Sequence, residues 1–427
     1  MKKIKKIKIP KFWRVILMIG ICCVLIAVIC FFPSACDWYT DHIYKYLSCA
    51  VAWVFGLIPI PVCEAAEILE YPVYILCGVI LLALIFLRKK PKYRAFCKIW
   101  FRSAAVFVLC WQLSWLLLDT IPSSGNVLGK EQADKRAAFN ITEIQALYCD
   151  TIRGLNQAAE EIEIAEDGSV QFPDNEELYP QIIDAVKALS DEYPRLAGYY
   201  PPSKTPLDPD KMERTGIGGV TYLMTQEIAL NKYLYPTSFP KTAAHEFAHL
   251  KGFHEEDAAN FIAELALSRS ENPYLRFAAY QAILYYVEPE YMEEYWSFTD
   301  ELTASGVLQP MPPLSENRTS EAEKQILAIA SANSKILDKY LTEEPELSER
   351  VQIIQDAAQG IATNNYFSEP HPETERIMND PELMEEAVKE REAFWTEYKK
   401  TREDHYYDGV VLLLLQYYNE TSSGGYS

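Results

Sequence analysis

His245-Glu246-Phe247-Ala248-His249-Leu250-Lys251-Gly252 is the stretch that decides how this chain reads. On a helix, the two histidines of an H-E-x-x-H run lie at i and i+4 and share one face. Two neutral imidazoles so placed, His245 and His249, can hold a Zn²⁺ ion. Glu246 beside them can take a proton from a water acidified by the metal. Three of the six histidines, His245, His249 and His254, cluster here. The competing reading is a pair of ordinary helix histidines, one packed and one solvated, so the flanking sequence has to decide.

Upstream, Gly216-Ile217-Gly218-Gly219-Val220-Thr221-Tyr222-Leu223-Met224-Thr225 combines β-branched and aromatic residues with a Gly pair and predicts one strand. Its segment Gly219, Val220, Thr221 and Tyr222 is the expected substrate-binding edge, where an extended peptide would add on. Pro240 suits the first turn of the motif helix and Gly252 its C-terminal turn. A second helix is expected from Glu255 onward.

A catalytic zinc site takes three protein ligands and keeps one open position. His254, Glu255, Glu256 and Asp257 compete for the third place. Glu256 is favoured because it lies one helical turn before Asn260, whose amide is expected to hydrogen-bond a zinc-bound imidazole. The alternative for this acidic run is a charged first turn that complements the helix dipole.

Charge and cysteine divide the chain. Residues 1–120 hold 15 Lys/Arg against 6 Asp/Glu and nine of the ten cysteines. The remainder is acidic, with 25 Lys/Arg against 54 Asp/Glu, which argues against nucleic acid or anionic lipid as its partner. Transmembrane helices are expected at about 12–32, 71–87 and 99–118. The basic stretches at 1–14 and 88–98 belong on the cytoplasmic side. Residues 121–427 then form an extracytoplasmic domain, joined through a linker at 122–125. The apolar stretch 47–62, broken by Gly56, Pro59 and Pro61, reads as a re-entrant or interfacial helix. Beyond it, helices are expected at 134–164, 175–192, 208–214, 274–288, 289–304, 318–341, 346–362, 381–401 and 404–419.

Residues 240–253, followed by Glu256-Asp257 and Ala259-Asn260-Phe261, resemble the DUF3810 family, bacterial membrane proteins of unknown function with zinc-peptidase-like motifs. The three spans and Gly218-Gly219, Thr225-Gln226-Glu227 and Asn231 resemble it too. The likeness covers most of 1–300 and is most specific between 215 and 265. Ala258 departs from it, standing where an acidic residue is expected. More distantly, His245, Glu246, His249, Glu256 and Asn260 resemble the gluzincin arrangement, in which two His and a downstream Glu bind zinc. The separation between His249 and Glu256 is short for that group.

The expectation is therefore a multi-pass protein of the bacterial plasma membrane. It carries a mostly α, zincin-like α+β domain with a small sheet. Within that domain Glu246 is the general base of a zinc metallopeptidase acting on peptide or protein. The alternative is a catalytically silent sensor or scaffold that binds peptides or a protein partner at the cell surface.

Overall fold

The computed structural model describes residues 11–87, 90–125, 141–165, 169–311, 320–342, 372–401, 410–415 and 417. The fold is mostly helical. Three apolar helices come first: α1 (Lys11–Ile29), α4 (Val62–Leu87) and α5 (Pro91–Trp115). Between α1 and α4 lie α2 (Pro33–Tyr39) and α3 (Lys45–Gly56), joined by a π-helical turn. α5 packs against both α1 and α4. Two helices are long and apolar enough to cross a membrane, or three if α1 and the segment 33–56, bent by 116°, count as one span.

The stretch 47–62 is thus largely the helix α3, and it does not stand apart from the rest. It packs beside the small sheet, and Lys204 Nζ donates to the carbonyls of Phe55 and Ile60 at 2.9 and 3.0 Å. The expected linker at 122–125 is also structured. A π-helical turn (Leu116–Thr120) leads into α6 (Ile121–Ser123), and Ile121 and Pro122 are buried. Sequence composition suggested a linker because Pro, Ser and Gly are turn formers. Here they form a turn that is packed.

The globular part is built on α7 (Ile141–Glu160), α8 (Asn175–Ala188), α9 (Pro209–Thr215), α10 (Ser238–Leu250), α11 (Glu256–Ser268) and α12 (Pro273–Ala304). α13 (Ser320–Thr342), α14 (Pro372–Asn379) and α15 (Pro381–Thr401) follow. Residues 134–140, the stretch 346–362 and most of 404–419 lie outside the described residues; 410–415 is helical and buried against the main core. Asp208 caps α9, accepting from the Lys211 amide at 3.0 Å. The helices expected at 274–288 and 289–304 are one helix, α12, with Pro289 inside it. Packing along α7 spans the proline, with Tyr148 stacked on Tyr291 at 4.6 Å.

The single strand expected over 216–225 is instead the first arm of a hairpin. β1 (Gly219–Tyr222) pairs antiparallel with β2 (Glu227–Leu230), Gly219 opposite Leu230 and Tyr222 opposite Glu227. Gln226 takes a left-handed backbone (φ 54°) to close the turn, and its side chain donates to the Leu223 carbonyl at 2.6 Å. The core sits under α10 and α11, where Phe247, Leu250, Ile262 and Leu267 are buried with Leu178 and Ile182 of α8.

Candidate metal centre

The turn between α10 and α11 sets the site. The Phe253 amide donates to Ala248 O at 3.1 Å and the Gly252 amide to His249 O at 3.0 Å. That pair is a Schellman closure, and Gly252 supplies its positive φ of 91°. α11 therefore returns across α10, and its first residue, Glu256, reaches the two histidines. Glu256 Oε2 lies 3.2 Å from His245 Nε2 and 3.6 Å from His249 Nε2. Ligand atoms of the three residues all fall within 4.8 Å of one another. A tetrahedral zinc with ligands 2.0–2.1 Å away would hold them about 3.3 Å apart. The donor set fits that ion in number, kind and spacing. All three side chains are recessed but open to solvent, 13, 13 and 19% exposed.

Tautomer follows from the surroundings. His249 Nδ1 lies 2.8 Å from the Phe253 carbonyl, which can only accept. The proton therefore sits on Nδ1 and the Nε2 lone pair faces the site. Burial, aided by His249, drives His245 down to about 4, so it stays neutral and able to ligate. Burial lowers His249 as well, but Glu256 and Glu246 outweigh it and raise its pKa. Burial likewise opposes ionisation of Glu256, and its bonds to both imidazoles overcome that and hold it far below the usual carboxylate range.

Glu246 is buried, and burial raises its pKa. The Thr221 hydroxyl donates to Glu246 Oε2 at 2.7 Å and also lies 2.9 Å from the Glu246 carbonyl. Gly219 lets the strand come this close, because a Cβ there would sit 2.7 Å from Glu246 Cγ and 2.9 Å from Oε1. β1 therefore lies directly against the motif helix. Among the described residues no strand pairs with its outer edge; β2 covers the inner one.

Behind the ligands runs a buried polar column that the motif alone does not announce. Lys241, one turn before His245, donates to the Tyr286 hydroxyl at 2.7 Å. Glu264 on α11 is fully buried, and among the described residues neither carboxylate oxygen has a hydrogen-bond partner. Burial pushes its pKa up to about 8, with Lys241 pulling the other way. Burial also lowers Lys241. Spacing carried a signal for both. Lys241, His245 and His249 share one helical stripe, as do Glu256, Asn260 and Glu264, and charge at the inward-facing end of such a stripe is unusual.

The sequence-named residues therefore sort as follows. His245, Glu246, His249 and Glu256 come together. Of the rivals to Glu256, His254 turns away to Ser123, with Nδ1 at 2.8 Å from the hydroxyl, and to Asp119 at 3.8 Å. Glu255 stands in extended backbone before α11. Asn260 is buried on the expected face, but among the described residues its Oδ1 and His245 Nδ1 both lack hydrogen-bond partners, so the expected contact is not made. Thr221, expected to touch substrate, has its hydroxyl on Glu246. Tyr222 donates to Glu64 Oε1 at 2.7 Å, and Gly219 and Val220 line the strand between.

Residues 39–344 match a family model described as "Protein of unknown function (DUF3810)". No curated protein and no solved structure matches the chain.

Proposed function

We propose that this chain, which belongs to the DUF3810 family of proteins of unknown function, is a membrane-anchored zinc metallopeptidase. One observation carries the reading: two imidazole Nε2 atoms converge on one Glu256 oxygen, with a buried carboxylate, Glu246, adjacent to them. A zinc ion held by His245, His249 and Glu256 would acidify water and polarise a carbonyl. The remaining work falls to the protein. Glu246, its pKa raised by burial, takes a proton from the attacking water and passes it to the leaving amine. The Thr221 hydroxyl fixes one of its oxygens, and the bare backbone of Gly219 leaves room for the other. The outer edge of β1, from Gly219 to Tyr222, lines up an extended peptide beside that carboxylate. A silent binding module would have no use for a base so held.

Charge supports an orientation. Basic residues cluster in 1–14 and 88–98, at the ends of α1, α4 and α5 remote from the globular part. With those ends cytoplasmic, the metal centre lies outside the plasma membrane.

Metal analysis of the full chain, purified in detergent, is the direct test. One zinc per chain is expected for the wild type, loss of it for His249→Ala and Glu256→Ala, and retention in Glu246→Gln with hydrolysis of a peptide library slowed at least about a hundredfold. A wild type without stoichiometric zinc, or a Glu246→Gln variant as active as wild type, sinks the assignment.

A further inference from the structure

The metal centre is bolted to the ends of the membrane helices. The Tyr44 hydroxyl donates to Leu250 O at 3.1 Å, one residue beyond His249. A Cβ on Gly252 would strike Thr40 at 2.8 Å and Tyr44 at 3.2 Å, so the turn after the motif is pressed onto the π-turn between α2 and α3. Arg195, buried, donates to Asp41 at 2.8 Å and to Gly252 O at 3.3 Å. Ser123, at the end of α6, meets His254. Glu64, in the first turn of α4, accepts from Tyr222 at the end of β1. The C-terminal ends of α1 and α5 and the N-terminal end of α4 thus converge on one side of the globular part.

The far side of this contact has the opposite character. Trp38, Trp53 and Leu57 are 57, 56 and 68% exposed, and Tyr46 and Ile60 are exposed beside them. The π-turn presents polar groups to the metal domain, whereas α2, α3 and the residues just after α3 expose aromatic and aliphatic groups. They begin four residues after α1 ends and turn through 116° from it, nearer perpendicular than parallel. Aromatic residues at the end of a span, on a helix lying across it, are what a bilayer interface holds. The occupant of this face is the bilayer surface.

A distance follows. The apolar run of α4 begins near Tyr71, seven residues past Glu64. With the hydrocarbon boundary set at Tyr71 and a rise of 1.5 Å per residue along α4, Glu64 and the end of β1 bound to it would stand about 10 Å above the hydrocarbon. We propose that the site acts on peptide bonds held close to the bilayer, in the juxtamembrane segments of chains that are themselves membrane-anchored. This rests on the peptidase reading and narrows its substrate class.

The test uses the full chain in phosphatidylcholine–phosphatidylglycerol vesicles and a randomised peptide library. The library is offered free, on a lipid anchor through a spacer of about six residues, or through one of about forty. Six residues reach at most about 20 Å. Forty form a coil about 35 Å across, which dilutes the peptide at the surface roughly tenfold or more. The expected result is cleavage of the short-spacer library about tenfold faster than the long. Exchanging both Trp38→Ser and Trp53→Ser should narrow that ratio while free-library cleavage is kept. Brominated lipids should quench a component of the fluorescence that the double variant lacks. Equal cleavage through both spacers, faster cleavage through the long one, or no such quenched component overturns the proposal and leaves the peptidase reading standing. No cleavage of any library, the free one included, overturns both.

Discussion

The candidate metal centre and the contact that fastens it to the apolar helices treat polar groups in opposite ways. At the contact nearly every polar atom is matched: Tyr44 with Leu250 O, Arg195 with Asp41 and Gly252 O, Lys204 with Glu227 and two carbonyls. Arg195 Nη2 lies 3.5 Å from Asp37, too far for a hydrogen bond. At the centre, by contrast, His245 Nδ1, Asn260 Oδ1 and both oxygens of Glu264 are buried without hydrogen-bond partners among the described residues. An unmade buried hydrogen bond costs about 1–3 kcal/mol. Folded chains keep few of them, and those kept gather where something other than stability is being served. On the proposed reading, the contact is built to hold and the centre to react.

That contrast breaks most visibly at Glu246. Replacing it with Gln preserves shape and removes the base. Turnover should fall by about 10²–10⁴-fold, the usual share of general acid–base catalysis. Thermal unfolding and zinc content should scarcely change. A large loss of stability in this variant would mean that Glu246 belongs with the structural set.

Arg195→Leu is the matching test on the other side. It strands Asp41, and about a quarter of that carboxylate's surface reaches water, which softens the penalty. A loss of about 2–3 kcal/mol is expected, less than for a fully buried pair. Hydrogen exchange should show it first in the amides of 250–253, which the contact clamps. Exchange that rises equally across α12 would argue against a local clamp.

How much of this was readable beforehand follows the range of the interactions. The motif helix, the Gly252 turn and Glu256 answer to local rules: a spacing of four, a residue able to take positive φ, a ligand one turn before an amide. α10 begins at Ser238, two residues ahead of Pro240, because helix starts are weakly specified. The contact joins residues far apart in the chain, Tyr44 to Leu250 and Asp41 to Arg195, and no local pattern reports such pairs. For the same reason 122–125 reads as a linker until Pro122 is seen buried against Gly252. Pro289 misleads because local propensity ends a helix there and packing against α7 does not. Asn260 was placed on the right face but without its bond, since spacing fixes a face and leaves the last ångström to packing.

Glu264 sharpens the comparison through pH. Its folded pKa, about 8, lies above its ordinary value of 4.5, so the folded chain keeps a proton that the unfolded chain gives up. Stability from this group is complete below about pH 4.5 and is lost as pH rises through 8. Lys241 opposes part of the shift. Relative to wild type, Glu264→Gln should therefore gain stability between pH 5 and pH 8, by roughly 3 kcal/mol. Thermal unfolding of both proteins at the two pH values decides it. Parallel curves would mean that Glu264 is ionised and paired with Lys241, and so belongs with the matched groups of the contact.

The smallest effect is expected at Thr221, where the two regions meet in one strand. Tyr222 is tied to Glu64 of α4, and Thr221, its neighbour, holds Glu246. Thr221→Val keeps the β-branched shape and removes a hydrogen bond to a carboxylate, worth about 1.5–3 kcal/mol at most and less where Glu246 is protonated. Burial favours that protonated form, so turnover should drop about three- to tenfold, near 1 kcal/mol. Thr221→Ser should restore it, since the hydroxyl is kept. If the hydroxyl serves substrate rather than base, Val will raise KM and leave kcat alone. If it positions the base, kcat falls and KM stays, because a group that orients Glu246 acts on proton transfer and not on peptide held along the outer edge of β1.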